Sequence, residues 1–309
     1  MTDSILHWEQ INDSSFGTGT IYSIATDGTT YVATGSNGTL ATSTDPTGTW
    51  TQISSDLTSN VVSVMTDDTT WVACGASGQL FTATDPTGTW TARTSSFDTD
   101  YINSVATDGN DMWVAVGMYG KLATAIDPTD TWTQSADSSF GTTYINSIAT
   151  DGNGMWVACG DSGTLATATD PTGTWTQVAD STFGADRIKM VKTDGTTWVI
   201  VGYSGKIATA TDPTGTWTQA TDSGFDGTDI RGLETNSDGS IWIATGESGK
   251  LTTATDPTGT WTLRTSSFGT DRIYTSVNNG DNWVVVGASG KMATNEYAKA
   301  PFPMYLPNL

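Results

Sequence analysis

The chain has 309 residues, with 33 Asp and Glu against 12 Lys and Arg, a formal charge of −21 and a pI near 4.1. That balance excludes a nucleic-acid backbone as partner, which requires a Lys/Arg surface, and equally an anionic membrane surface. Only 36% of residues are hydrophobic and 15% charged, while Gly, Thr and Ser abound, a composition suited to many short strands joined by tight turns.

In chain order, Met1 to Leu6 shows neither the basic start nor the apolar core of a signal peptide, and no apolar run approaches the roughly 18 residues of a membrane span. His7-Trp8-Glu9-Gln10 then reads as a strand. A repeat becomes visible at Asp45-Pro46-Thr47-Gly48-Thr49-Trp50-Thr51, which returns at Asp85, Asp127, Asp170, Asp212 and Asp256 with spacings of 40, 42, 43, 42 and 44 residues. Asp bonds the amides ahead of it, Pro presets φ, Gly supplies φ > 0 and Thr-Trp-Thr favours a pleated surface, so each copy is a turn leading into a strand. A period of this size signals an array of one supersecondary unit.

The third unit displays the pattern clearly. Strands are predicted at 101–106, 113–117, 121–125 and 131–134, separated by Thr107-Asp108-Gly109, Tyr119-Gly120 and the Asp127 turn. Asn37-Gly38 and the Ser-Gly pairs at Ser77, Ser162, Ser204, Ser248 and Ser289 are hairpin signals at the equivalent tips. No stretch has a helical period of apolar residues. Each unit is therefore a four-stranded antiparallel meander of about 42 residues, the size of a propeller blade.

The second-strand aromatic occurs seven times, at Tyr31, Trp71, Trp113, Trp156, Trp198, Trp242 and Trp283, and the fourth-strand Trp also seven times, at Trp8, Trp50, Trp90, Trp132, Trp175, Trp217 and Trp261. The chain thus opens on a fourth strand and ends its last repeat on a third, Lys291-Met292-Ala293-Thr294. The expected fold is all-β: a seven-bladed β-propeller with four antiparallel strands per blade, the N-terminal strand at residues 7–11 closing blade seven and removing the open edge. Residues 1–297 form the propeller and 298–309 an extended Pro-rich tail. Phe16, Phe97, Phe140, Phe183, Phe225 and Phe268 (Leu57 in the second blade) precede the inner strands and, with the Trp residues, are expected to pack between blades. Cys74 and Cys159 occupy the same place in non-adjacent blades, so they read as buried hydrophobes and not as a disulfide.

The run Ser43 to Trp50, with copies such as Thr84 to Trp90 and Thr169 to Trp175, resembles the Asp-box hairpin of bacterial-neuraminidase-repeat and Ycf48-like propellers. The resemblance covers residues 7 to 296. It departs in that Pro follows the Asp, the Gly stands one place later, and Ser43 is the only hydroxyl two places before the Asp, where the other copies have Ala83, Ala125, Ala168, Ala210 and Ala254. The resemblance implies a seven-bladed propeller in which the box is structural, and no activity of its own.

The residues argue against catalysis. The five Arg lie outside the Phe-Arg-Ile-Pro setting of sialidases, and the single His7 supplies no triad or His-rich metal set. The carboxylates recur at the same turns of every blade, whereas a catalytic residue should be an exception to the repeat, and no Asp-x-Asp-x-Asp-Gly loop offers a Ca²⁺ site. No catalytic residue, cofactor or metal is expected, and a glycosidic acid pair is the weakest reading.

Charge divides the two faces of the expected ring. The turns at Asp27, Asp67, Asp108, Asp151, Asp194 and Asp238 share one face with the six Asp-Pro turns, while the opposite face carries Lys121, Lys206, Lys250 and Lys291 at hairpin tips and Arg187 and Arg272 before inner strands. That second face is the candidate recognition face. The tail, apolar and with three Pro, suits an extended anchor whose Phe302, Met304, Tyr305 and Leu306 fill pockets on a partner. The expected function is a non-enzymatic structural or adhesion propeller, similar in composition to a bacteriophage virion component such as a capsid decoration, fibre or tail protein, located in the virion or alternatively the cytoplasm. Its partners would be other proteins of a larger assembly, or a surface glycan. A glycan-binding lectin and an assembly factor of the Ycf48 type are the alternatives.

Overall fold

The computed structural model of the protein describes residues 8–280 and 282–296. The expected anchor residues Phe302, Met304, Tyr305 and Leu306 lie outside the described residues. Seven four-stranded antiparallel sheets make up the ring, six of them from consecutive strands. The seventh has the spatial order Glu9–Gln10, Met292–Glu296, Asn282–Gly287, Ile273–Asn278, so the N-terminal strand is the outer strand of the last blade. Glu9 faces Thr294 and Gln10 faces Ala293, and the Ile11 amide donates to the Met292 carbonyl at 2.8 Å.

Burial follows from the meander. Each second strand, such as Trp113–Gly117, is buried from its aromatic to its last Gly because both of its faces meet neighbouring blades, while outer strands such as Thr133–Gln134 are exposed. The apolar clusters cross blade boundaries: Val157, Cys159 and Leu165 of blade four pack with Phe183, Trp198 and Trp217 of blade five. Trp8 joins Ile243 and Leu251 of blade six with Trp283 and Val285 of blade seven, so the ring is closed by apolar packing as well as by strand pairing. Cys74 and Cys159 are free and buried, and burial pushes the Cys74 thiol up to about 12.

The Asp-Pro turn is a self-contained device. Asp45 Oδ1 accepts from the Thr47 amide at 2.9 Å and the Thr47 hydroxyl at 2.7 Å, and Trp50 Nε1 donates to the Pro46 carbonyl at 3.3 Å, pinning the buried indole to its own turn. The same three bonds recur at the Asp212 turn. Asp27, in the other turn of this face, caps its loop through Thr29 and Thr30 at 2.7–2.8 Å. The acidic face is thus built from carboxylates already occupied by their own turns.

Those bonds predict acid lability. Asp45, Asp85, Asp127, Asp170, Asp212 and Asp256 are held below the ordinary 3.8, first by the threonine hydroxyl two residues on and then by its amide. A carboxylate with a depressed folded-state value stabilises the fold above its unfolded value and loses that contribution as pH falls through the folded one. The melting temperature should therefore hold from neutrality to about pH 4 and fall below it. A melting temperature that does not fall on further acidification would contradict the assignment.

In the third blade three of the four strands differ in their limits from the sequence expectation; the third strand is Leu122–Ala125, one residue shorter at its start. The inner strand is Ile102–Thr107, because the Tyr101 carbonyl turns away to accept the Met118 amide at 3.0 Å. The outer strand is only Thr133–Gln134, since Trp132 is held by the Pro128 carbonyl at 3.2 Å. The hairpin tips are short 3-10 turns whose middle residue is left-handed, as at Ser204 with φ 58.

Candidate functional site

One irregularity recurs in all seven blades. The inner strand starts on Ile or Val paired with the last Gly of the second strand, and the register then skips a residue, as between Ile188↔Gly202 and Met190↔Val201. The skipped residue is a β-bulge, a device that redirects a side chain out of the ladder. A glycine is required opposite it: a Cβ on Gly202 would lie 2.1 Å from the Arg187 carbonyl oxygen.

The bulged residues are Tyr22, Val62, Asn103, Asn146, Lys189, Arg231 and Tyr274, and all seven line one mouth of the central channel, a cavity of about 420 Å³. Further in, the channel is lined by inner-strand residues such as Ser23, Ser63 and Ser147 and by the Lys192–Glu234 ion pair at 2.8 Å. It ends at the acidic face among Asp67, Asp108 and Asp151. Ser23, Ser63 and Ser147 accept the amides of Val64, Val105 and Val191 on the next blade at 3.2–3.3 Å, and Asn103 and Asn146 donate to the Ile145 and Ile188 carbonyls at 2.8 Å. These residues stitch blade to blade and leave the remaining bulge side chains to face the cavity.

The mouth is divided. One side is aromatic and neutral, with Tyr101, Val62, Met118 and the edge-to-face pair Tyr119–Tyr144 at 5.5 Å. The other is ionic. Arg187 holds Asp161 through Nε at 2.6 Å and Nη2 at 2.8 Å, and lies 5.1 Å from the Tyr203 ring centre. Arg231 meets the same ring at 5.3 Å and reaches Glu247 at 2.6 Å and Asp229 at 3.6 Å. Arg272 Nε stands 2.7 Å from the same Glu247 oxygen, with its guanidinium over Tyr274 at 5.4 Å. Tyr274 in turn meets Tyr22 edge-on at 5.2 Å across the closing seam. Burial raises the Glu247 carboxyl, but Arg272 and Arg231 outweigh it and hold the group below its ordinary value. Planar cations stacked on aromatic rings and locked by carboxylates are pre-organised, so little side-chain freedom remains to be lost on binding.

The six candidate recognition residues fall into two groups. Arg187 lines the mouth, and Arg272 stands beside it, over the ring of the lining residue Tyr274. Lys121, Lys206, Lys250 and Lys291 act within their own blades: each donates its ammonium to the carbonyl of the phenylalanine before the inner strand (Phe97, Phe183, Phe225 and Phe268) at 2.7–3.1 Å, and each pairs with a carboxylate of the same loop. Lys189 and Arg231 complete the basic side and were not singled out in the sequence. The signal was present, since at the second position of the inner strand these two break a series otherwise made of Tyr, Val and Asn. Among the described residues no three His, Cys, Asp or Glu side chains are grouped to hold a metal ion.

No protein-family model matches the sequence, and no curated protein matches it. Solved structures do share its shape. A Ycf48 structure described as bound to a D1 peptide superposes with a TM-score of 0.73 at 16% identity, over 96% of each chain. Ycf48 from Cyanidioschyzon merolae superposes with a TM-score of 0.72 at 16% identity, over 94% of this chain and 98% of its own. At that identity the likeness establishes the fold: this chain is a seven-bladed β-propeller whose architecture is similar to that of Ycf48 proteins.

Proposed function

We propose that the protein is a non-catalytic binding propeller, an assembly factor in the manner of Ycf48, whose protein partner places an extended segment at the bulge-lined mouth. The observation that carries this reading is the placement of the departures from the repeat. In a chain of charge −21 whose turn carboxylates serve their own loops, Arg187, Lys189, Arg231 and Arg272 gather on one face beside a tyrosine-rich wall. A mouth with one apolar aromatic side and one basic side matches a peptide carrying a carboxylate next to apolar side chains. The Ycf48 structure bound to a D1 peptide supports a polypeptide as the class of partner. The virion-component reading rests on composition and on residues 298–309, and the comparisons favour the assembly-factor alternative over it. The Asp-box kinship remains part of the proposal, with the box as a turn device.

The test is a displayed peptide library panned on the intact protein, on Arg231→Leu and on the acidic-face variant Asp212→Asn, beside a glycan array. Enriched peptides should contain Asp, Glu or a free terminus flanked by apolar residues, lose binding to Arg231→Leu by tenfold or more, and keep it on Asp212→Asn. Peptides indifferent to Arg231→Leu, or a glycan that binds at the mouth where no peptide does, would overturn the proposal.

A further inference from the structure

Of the described lysines, Lys121, Lys192, Lys206, Lys250 and Lys291 each hold a carboxylate oxygen within 3.1 Å. Lys189 has no ion pair or hydrogen bond to any described residue, although it stands on a bulge in the channel mouth. The ionic side there holds four cations, Arg187, Lys189, Arg231 and Arg272, against three carboxylates, Asp161, Asp229 and Glu247, and guanidiniums engage all three carboxylates. With Lys189 protonated the mouth carries one unmatched positive charge; with Lys189 neutral it is balanced.

We infer that the mouth is a proton-coupled receptor for a single carboxylate, in which Lys189 takes up a proton as the carboxylate docks beside Arg187 and Arg231 and gives it up on release. The inference rests on the mouth assigned above as the binding site, and not on the partner being a polypeptide. One negative charge completes the balance, whereas a second would face Asp161 and Glu247, so a monocarboxylate is preferred to a phosphate dianion.

The surroundings of Lys189 leave it as the titrating group. Burial, then repulsion from Arg231 and Arg187, pushes its ammonium down to about 8, with Asp161 and Cys159 opposing. Of the neighbours on blade four, Cys159 is driven well up by burial and Tyr144 is raised by the hydrogen bond with Tyr119, so neither changes charge near pH 8. From blade six, Arg231 faces it with Asp229 and Glu247, the latter held low by Arg272 and Arg231. On its own strand Lys192 is paired with Glu234 deeper in the channel, and the remaining ionic neighbours, Arg187 and Asp161, are paired with each other.

The experiment follows the lysine Cε resonances of the full-length protein through a pH titration at constant ionic strength, with the Lys189 signal identified by its loss in Lys189→Arg. Without ligand its midpoint should fall near 8, and saturating acetate should move it upward. Acetate affinity should drop roughly thirtyfold between about pH 7 and about pH 9.5, the change in the protonated fraction of a group titrating near 8. Acetamide should have no effect and inorganic phosphate should bind more weakly than acetate. Lys189→Arg should bind acetate with no pH dependence in this range, and Lys189→Met should not bind it. N-acetylglycylglycine, with a free terminus, and N-acetylaspartylglycinamide, with only a side-chain acid, separate the two sources of carboxylate; the tighter of the two names the source. A Lys189 midpoint at the ordinary 10.5, an acetate affinity independent of pH in the parent, or the same pH dependence retained in Lys189→Arg overturns the inference. If acetate behaves as expected while no peptide binds, the polypeptide partner fails and the receptor stands.

Discussion

Deletion of residues 1–11 should lower the melting temperature by about 10 °C or more and leave an aggregating protein. The deletion removes Trp8, 4% exposed and packed between Ile243 and Leu251 of blade six and Trp283 of blade seven, and truncating one core Trp costs about 3–5 kcal/mol. It also removes Ile11, which packs with Ile21 of blade one and Val284 of blade seven. The pairing of Glu9 with Thr294 and Gln10 with Ala293 is lost as well, so Met292–Glu296 becomes an edge strand with unpaired amides and carbonyls. In a ring every blade packs on two others, so opening one seam weakens both neighbours of the gap. Supplying residues 1–11 as a separate peptide should restore part of the lost melting temperature. A truncated chain that stays monomeric and melts with the parent protein would show that the closure carries no stability.

The fold was legible because the repeat writes each strand seven times. The aromatic at Tyr31, Trp71 and their equivalents marks every second strand, and counting Trp8 with the fourth-strand Trp residues was enough to place the N-terminal strand in blade seven. What the repeat hides is geometry common to all copies. The bulge after Ile188 and its six counterparts leaves no mark in composition, because the residue it ejects is Tyr, Val, Asn, Lys or Arg in turn, and the fixed element, Gly202 and its equivalents, reads simply as the end of a strand. The charged residues divide for a related reason. Lys121, Lys206, Lys250 and Lys291 recur at hairpin tips because they clip the loop before the inner strand, so recurrence there marks a structural part. Lys189 and Arg231 occur once each at their position, and the exceptions are what line the mouth.

Gly202→Ala should cost about 1–3 kcal/mol and also abolish the proton-coupled binding of acetate. Gly202 has φ of 180, an extended conformation open to any residue, so the substitution introduces no backbone strain of its own. The obstacle is the partner strand: the new Cβ would lie 2.1 Å from the Arg187 carbonyl oxygen and 3.0 Å from Ile188 Cα, both backbone atoms that move only if the bulge moves. The bulge carries Lys189 between Ile188 and Met190, and Arg187 leads into it, so relief of the clash displaces the two side chains that define the anion site. Gly75→Ala is the matched control. Its Cβ would meet the Asn60 carbonyl oxygen at 2.1 Å in the same way, but the bulge it faces presents Val62 to the neutral side of the mouth. Both variants should lose comparable melting temperature, while only Gly202→Ala should lose the acetate-induced shift of Lys189. Equal loss of binding in the two would mean that general loosening of the ring, and not the bulge of blade five, controls the site.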